Sequence, residues 1–248
     1  MAEDVKHHKG NLVLATVATH RPEDALQEYT AVFRDLSVEM IDAVDVRTRG
    51  DGFKEEHIAK LRDNSVVFFT GGDQLRITSQ MGASPLYQRM IDIFHRGATI
   101  VGTSAGAAAI PVTMLVGGPG DESADSGRLI MALGLGLLPD IVIDSHFAQR
   151  GRIGRLLGTI ALNPENLGIG IDEDTAIIVE RGQSVQVIGS GAVYVVDGRA
   201  ISYSSLSEQT AEGLISLYNV KLHVLANSDS FDLTTRLPAQ RQSAASER

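Results

Sequence analysis

The sequence predicts an α/β protein: a doubly wound, mostly parallel sheet with a C-terminal antiparallel extension. Three observations carry that prediction. Short β-branched runs alternate with helically spaced apolar residues from Asn11 to Asp172. One run, Ala98-Thr-Ile-Val101, enters a turn of small residues around Ser104 and leaves it in an alanine-rich helical stretch. After Glu173 the helical spacings stop, and short strands follow one another directly.

The elements follow in order. Asn11–Val17 reads as a buried strand, and Leu26, Tyr29, Val32, Phe33 and Leu36 mark one face of a helix over 23–36. Val38–Val44 is a second strand, 55–62 a short helix, and Ser65–Thr70 a third strand ending in Gly71-Gly-Asp-Gln74. A helix over 84–96 stops at Gly97. Beyond the elbow and a glycine-rich loop at 117–122, Asp140–Asp144 is a strand, 152–162 a helix and Leu167–Asp172 another strand. Residues 176–180, 184–188 and 192–196 are the antiparallel strands, with Asp197-Gly198 as a hairpin turn. With 248 residues and 43% apolar content, one domain over 1–235 is expected, and 236–248 reads as a polar, flexible tail.

Composition excludes several classes. Without cysteine there is no disulfide, thiolate metal site or cysteine nucleophile, so the elbow works through serine or not at all. A net charge of −9 disfavours nucleic acid and anionic membranes and suits a cationic substrate. No apolar run reaches membrane-spanning length and the first residues lack a signal-peptide core, so a cytoplasmic location is expected. No metal-binding pattern is present, and no metal is expected.

The candidate chemistry sits just after the strands, where open α/β sheets bind ligands. Gly102-Thr-Ser-Ala-Gly106 fits a nucleophile elbow, in which small residues let strand and helix close around a strained serine; the alternative is a small residue at a crowded turn. Ala105 N–H, and Gly72 N–H from the neighbouring strand end, are candidate oxyanion donors. His146 is the candidate base. Glu173 is one candidate for the acid, with Asp172, Asp174, Asp121, Asp125 and Asp144 competing. Asp73 and Gln74 are either surface polar residues or substrate contacts. Arg150, Arg152 and Arg155 are either a solvated helix face or a site for anions. His20 is a possible pocket residue; His7, His8, His57, His95 and His223 carry no assigned role. The order Ser, His, acid differs from that of α/β-hydrolases, which argues against an esterase.

Four blocks together carry a resemblance. They are Thr70-Gly-Gly-Asp-Gln-Leu75, Gly102-Thr-Ser-Ala-Gly-Ala107, Asp144-Ser-His-Phe-Ala-Gln-Arg-Gly-Arg-Ile-Gly-Arg-Leu156 and Gly168-Ile-Gly-Ile-Asp-Glu-Asp-Thr-Ala176. The chain resembles the cyanophycinase family of serine exopeptidases, which also contains peptidase E, with its class I glutaminase-like fold. The resemblance implies a triad of Ser104, His146 and Glu173, substrate contacts at Gln74, Asp144, Arg150, Arg152 and Arg155, a cytoplasmic homodimer and no cofactor. It implies hydrolysis of cyanophycin, a polyaspartate with arginine on each β-carboxyl, to β-Asp-Arg dipeptides. A related dipeptidase for Asp-containing or other β-linked peptides, and a non-catalytic binding protein of the same fold, are the alternatives. Two features depart from the family. Ala2-Glu-Asp4 directly follows Met1 where a glycine-rich strand is usual, and Ser145 replaces a glutamine, which is expected to alter specificity.

Overall fold

The computed structural model describes residues 10–117, 129–180, 183–208 and 214–239. The glycine-rich loop from 118 on, Asp121, Asp125, His7, His8, Ala2–Asp4 and the tail from 240 on lie outside the described residues. Two compact units are present. The first comprises Met1–Val116 with Met131–Leu137, the second Gly117–Ile130 with Leu138–Arg248.

In the first unit, β1 (Leu12–Ala15), α1 (Pro22–Asp35), β2 (Ile41–Val44), α2 (Glu55–Ile58), β3 (Val66–Phe69), α3 (Gln74–Met81), α4 (Pro85–His95), β4 (Thr99–Gly102) and α5 (Ala105–Ala108) alternate. The sheet runs β2-β1-β3-β4 with every ladder parallel. Side chains alternate between its faces, and both faces are covered. Leu12, Leu14, Val66 and Phe68 pack on one side with Phe33 of α1. Val13, Ala15, Val67 and Phe69 pack on the other with Ile77 and Met81 of α3 and Leu86, Met90 and Ile93 of α4. Burying each of the larger of these side chains contributes about 1.5–3 kcal/mol. This is the doubly wound arrangement the alternation predicts.

Helix α3 was not expected. It starts directly after the Gly71-Gly72 turn, where the Asp73 carboxylate caps it by accepting from Leu75 N–H at 2.9 Å. Elsewhere the predicted spans are trimmed: β2 begins at Ile41 and α2 ends at Ile58. Strands β5 (Thr113–Gly117) and β6 (Ile130–Leu133) form a two-stranded ribbon.

The second unit contains β7 (Ile141–Ser145), α6 (Ile153–Leu162), β8 (Leu167–Ile171), β9 (Thr175–Glu180), β10 (Ser184–Gly189), β11 (Val193–Asp197), β12 (Tyr203–Ser204), β13 (Leu217–Tyr218), β14 (Lys221–Leu225), β15 (Ser230–Asp232) and β16 (Leu237–Pro238). One sheet runs β14-β11-β8-β7, parallel only between β7 and β8. Another runs β16-β15-β10-β9, wholly antiparallel. The alternating glycines of β8 open space for its neighbours. A Cβ on Gly168 would lie 2.9 Å from Leu156 of α6, and one on Gly170 would lie 2.5 Å from the Phe147 ring.

Two expectations are corrected here. Asp197-Gly198 is no hairpin turn, because β11 pairs with β14, reached only after β12 and β13. The Asp197 carboxylate turns inward, where it accepts hydrogen bonds from Arg199 and Arg236. Arg236 is therefore buried rather than the first residue of a tail, and Leu237–Pro238 pairs with β15. Burial alone would raise the Asp197 pKa; the bonds from Arg199 and Arg236 outweigh it and hold the carboxyl below its ordinary value. Among the described residues no helix is long and apolar enough to cross a membrane.

Candidate active site

The first unit holds the serine on a strained turn. Thr103 N–H donates to Phe69 O at 3.1 Å, tying the end of β4 to β3. The chain then reverses at Ser104, with φ 52° and ψ −115°, immediately before α5. Such a backbone costs a non-glycine residue about 1–3 kcal/mol and persists only when its surroundings fix it. Here backbone crowding fixes it. A Cβ on Gly102 would strike the Gly106 carbonyl group, and one on Gly106 would lie 2.9 Å from Phe69 Cβ. A Cβ on Gly71 would come within 3.3 Å of Ser104 Cβ, so the Gly71-Gly72 turn passes directly beside the serine. As a first-turn group of α5, Ala105 N–H has no acceptor within the helix.

Gly72 adopts φ 140°, and a side chain there would collide with the Ala18 carbonyl. Asp73 N–H donates to Ala18 O at 3.0 Å, pinning the turn to the loop after β1. That loop is gripped by Arg47, which no sequence signal singled out. Its guanidinium donates to Thr19 O at 2.6 Å and to Thr16 O, and pairs with Asp45. The Gln74 amide donates to Leu115 O at 3.0 Å. His20 stands at the exposed rim, its Nδ1 accepting from Arg76 at 2.8 Å.

In the second unit the candidate acids have different partners, and Glu173 is the one beside the histidine. His146 follows β7 at φ 50°, and its Nδ1 lies 2.9 Å from Glu173 Oε1. Asp172 is used by the backbone instead, accepting from Ala148 N–H at 2.9 Å and Ala192 N–H at 3.2 Å. Asp174 accepts from the Ser190 hydroxyl, and Asp144 points into an arginine pair. An ionised carboxylate only accepts, so a proton shared with Glu173 is carried on His146 Nδ1. Gln149, equally unmarked in the sequence, accepts from Glu173 N–H at 3.2 Å.

The three arginines part company. Arg155, buried on α6, forks onto both oxygens of Asp144, itself only 3% exposed. Arg152 Nη1 donates to the same carboxylate at 3.0 Å and also to the Ser145 carbonyl. Burial pushes the Arg152 guanidinium pKa down, with the Asp144 charge opposing that shift. Arg150 is exposed. Among the described residues no cluster of three or more histidines and carboxylates is grouped as metal ligands would be.

The profile of Peptidase family S51 matches residues 8–188. The chain is similar to the cyanophycinase of Geminocystis herdmanii, at 36% identity over 89% of this chain and 82% of that one. It is also similar to those of Synechococcus elongatus, at 36% over 88% and 68%, and Trichormus variabilis, at 35% over 93% and 78%. The crystal structure of a peptidase from an acI-B1 Actinobacterium matches with a TM-score of 0.67 at 19% identity, over 93% of this chain and 88% of that one. At that identity the likeness is one of fold.

Proposed function

The chain belongs to peptidase family S51 and is a serine-type peptidase, and from that premise we propose that it is an exopeptidase cleaving cyanophycin to β-Asp-Arg dipeptides. Ser104 is the nucleophile, His146 its base and Glu173 the acid that orients the ring. The observation that carries this reading is the His146–Glu173 hydrogen bond of 2.9 Å, because it leaves Nε2 as the basic nitrogen. Nε2 takes the Ser104 Oγ proton as Oγ adds to a backbone aspartyl carbonyl. Ala105 and Gly72 N–H groups stabilise the oxyanion. Collapse of the adduct breaks the C–N bond, and the proton held by His146 passes to the departing amine. Water, deprotonated by the same nitrogen, then hydrolyses the acyl-serine.

The substrate assignment draws on the relatives named cyanophycinase and on complementary charge. Each residue of such a polymer offers a guanidinium, attracted by a chain of net charge −9, and a free carboxylate, suited to the exposed Arg150. A homodimer in the cytoplasm belongs to the same proposal.

Release of β-Asp-Arg from purified polymer tests it. The parent chain is expected to release dipeptide, and Ser104→Ala to lose at least about 10³-fold in kcat with folding intact. A parent chain that cleaves β-aspartyl dipeptides but not polymer would move the substrate assignment to the dipeptidase reading.

A further inference from the structure

The geometry points to Arg152 as a positioning residue for the His146 base, acting through the Ser145 carbonyl, and not as a ligand of the substrate. The inference rests on His146 being the base. Charge balance is the starting point. Arg155 alone neutralises Asp144, engaging both carboxylate oxygens from α6. Arg152 is a second cation on the same anion, largely buried and desolvated, with its Nε unpartnered among the described residues. Ion pairing with Asp144 does not require it. What Arg152 adds is the bond to the Ser145 carbonyl, the peptide unit that leads into His146.

That unit needs holding. The β7–β8 ladder ends at the Ser145–Ile171 pair, and His146 then takes a left-handed backbone. On the far side, Phe147 N–H donates to Ile171 O at 3.1 Å and Arg152 N–H to Phe147 O at 3.1 Å. The Phe147 ring is buried with Leu156, Ile160 and Val196. Arg152 thus touches the turn on both sides of His146: through its main chain after the residue, and through its side chain before it. Loss of the guanidinium frees the carbonyl side and lets the ring swing from Glu173.

Arg152→Met and Arg152→Lys in the full chain test this. A small neutral fluorophosphonate has no carboxylate for an arginine to bind, so its rate of phosphonylating Ser104, with loss of fluoride, reports on the base and not on recognition of a substrate carboxylate. The proposal expects that rate and kcat on polymer to fall together, on the order of tenfold or more in Arg152→Met, with KM nearly unchanged. Arg152→Lys, which can still reach the carbonyl with one donor, is expected to restore part of the loss. The downfield proton resonance of His146 Nδ1–H, assigned by its absence in Glu173→Gln, is expected to weaken or shift in both variants. A raised KM with normal phosphonate labelling and an unmoved resonance, in either variant, overturns the proposal and makes Arg152 a substrate ligand. Should Arg152→Met fail to fold, Arg152→Lys alone decides between the two roles. If the parent chain takes no phosphonate and cleaves nothing, the peptidase reading fails, while the resonance still decides whether Arg152 holds the ring.

Discussion

The serine and the histidine sit in two compact units that immobilise a strained residue by different physics. Ser104, at φ 52°, is held by what is missing: Gly71, Gly102 and Gly106 lack the side chains that would keep β3, β4 and α5 apart. His146, at φ 50°, is held by what is present: two arginines and a carboxylate behind it, a buried Phe147 beside it and Glu173 in front. The first solution fails by overpacking, the second by leaving a charge unpaired. Substitutions should therefore behave differently in the two regions.

The largest effect is expected on the histidine side. Asp144→Ala strips two buried guanidiniums of their anion, and breaking such a pair costs about 3–5 kcal/mol. Urea unfolding would show this as a lower midpoint; a loss under about 1 kcal/mol would mean the ion pairs are not what holds this region. On the serine side, Gly106→Ala drives a methyl into the Phe69 carbonyl group and to 2.9 Å from Phe69 Cβ. Overpacking there is expected to cost about 1–3 kcal/mol and to lower turnover with it, by displacing the Ser104 hydroxyl. If turnover stayed normal in a destabilised Gly106→Ala protein, crowding would not be what aims the serine.

The smallest effect sharpens the view of the charged unit. The Asp197 carboxyl is held below its ordinary pKa by Arg199 and Arg236. A depressed folded-state pKa stabilises fully above the unfolded value, about 3.9, and that contribution is lost as pH falls through the folded value. Thermal unfolding of wild type and Asp197→Asn should therefore differ most near neutrality, with a gap that begins to narrow only as pH falls below about 3.9 and closes below the folded-state value. A gap that does not narrow at any pH below about 4 would assign the difference to packing.

The same contrast decides what the sequence made legible. A constraint met by omitting side chains writes itself as glycine, so the Gly102–Gly106 elbow and the Gly71-Gly72 turn could be read directly. The doubly wound sheet was equally visible, because two-sided burial produces unbroken apolar strands. A constraint met by pairing charges is silent about who pairs with whom. Arg150, Arg152 and Arg155 read as either a solvated face or an anion site, because spacing does not say that Arg152 and Arg155 bind Asp144. Asp172, Glu173 and Asp174 were equivalent by spacing; only the course of the chain after β8 turns the middle one to His146. Asp197-Gly198 had the composition of a hairpin turn, yet the partner that draws Asp197 inward, Arg236, lies far along the chain. Helix α3 was missed because its one local signal, the Asp73 cap, follows immediately on a glycine turn.

The central claim is that Ser104, His146 and Glu173 act as one catalytic group, and reaction with a fluorophosphonate followed by intact-mass and peptide analysis tests it most directly. A single adduct is expected on Ser104 of the wild-type chain, with no adduct in Ser104→Ala and labelling slowed by at least about 10³-fold in His146→Ala. A wild-type chain that stays unlabelled, or a His146→Ala chain labelled as fast as wild type, would contradict it.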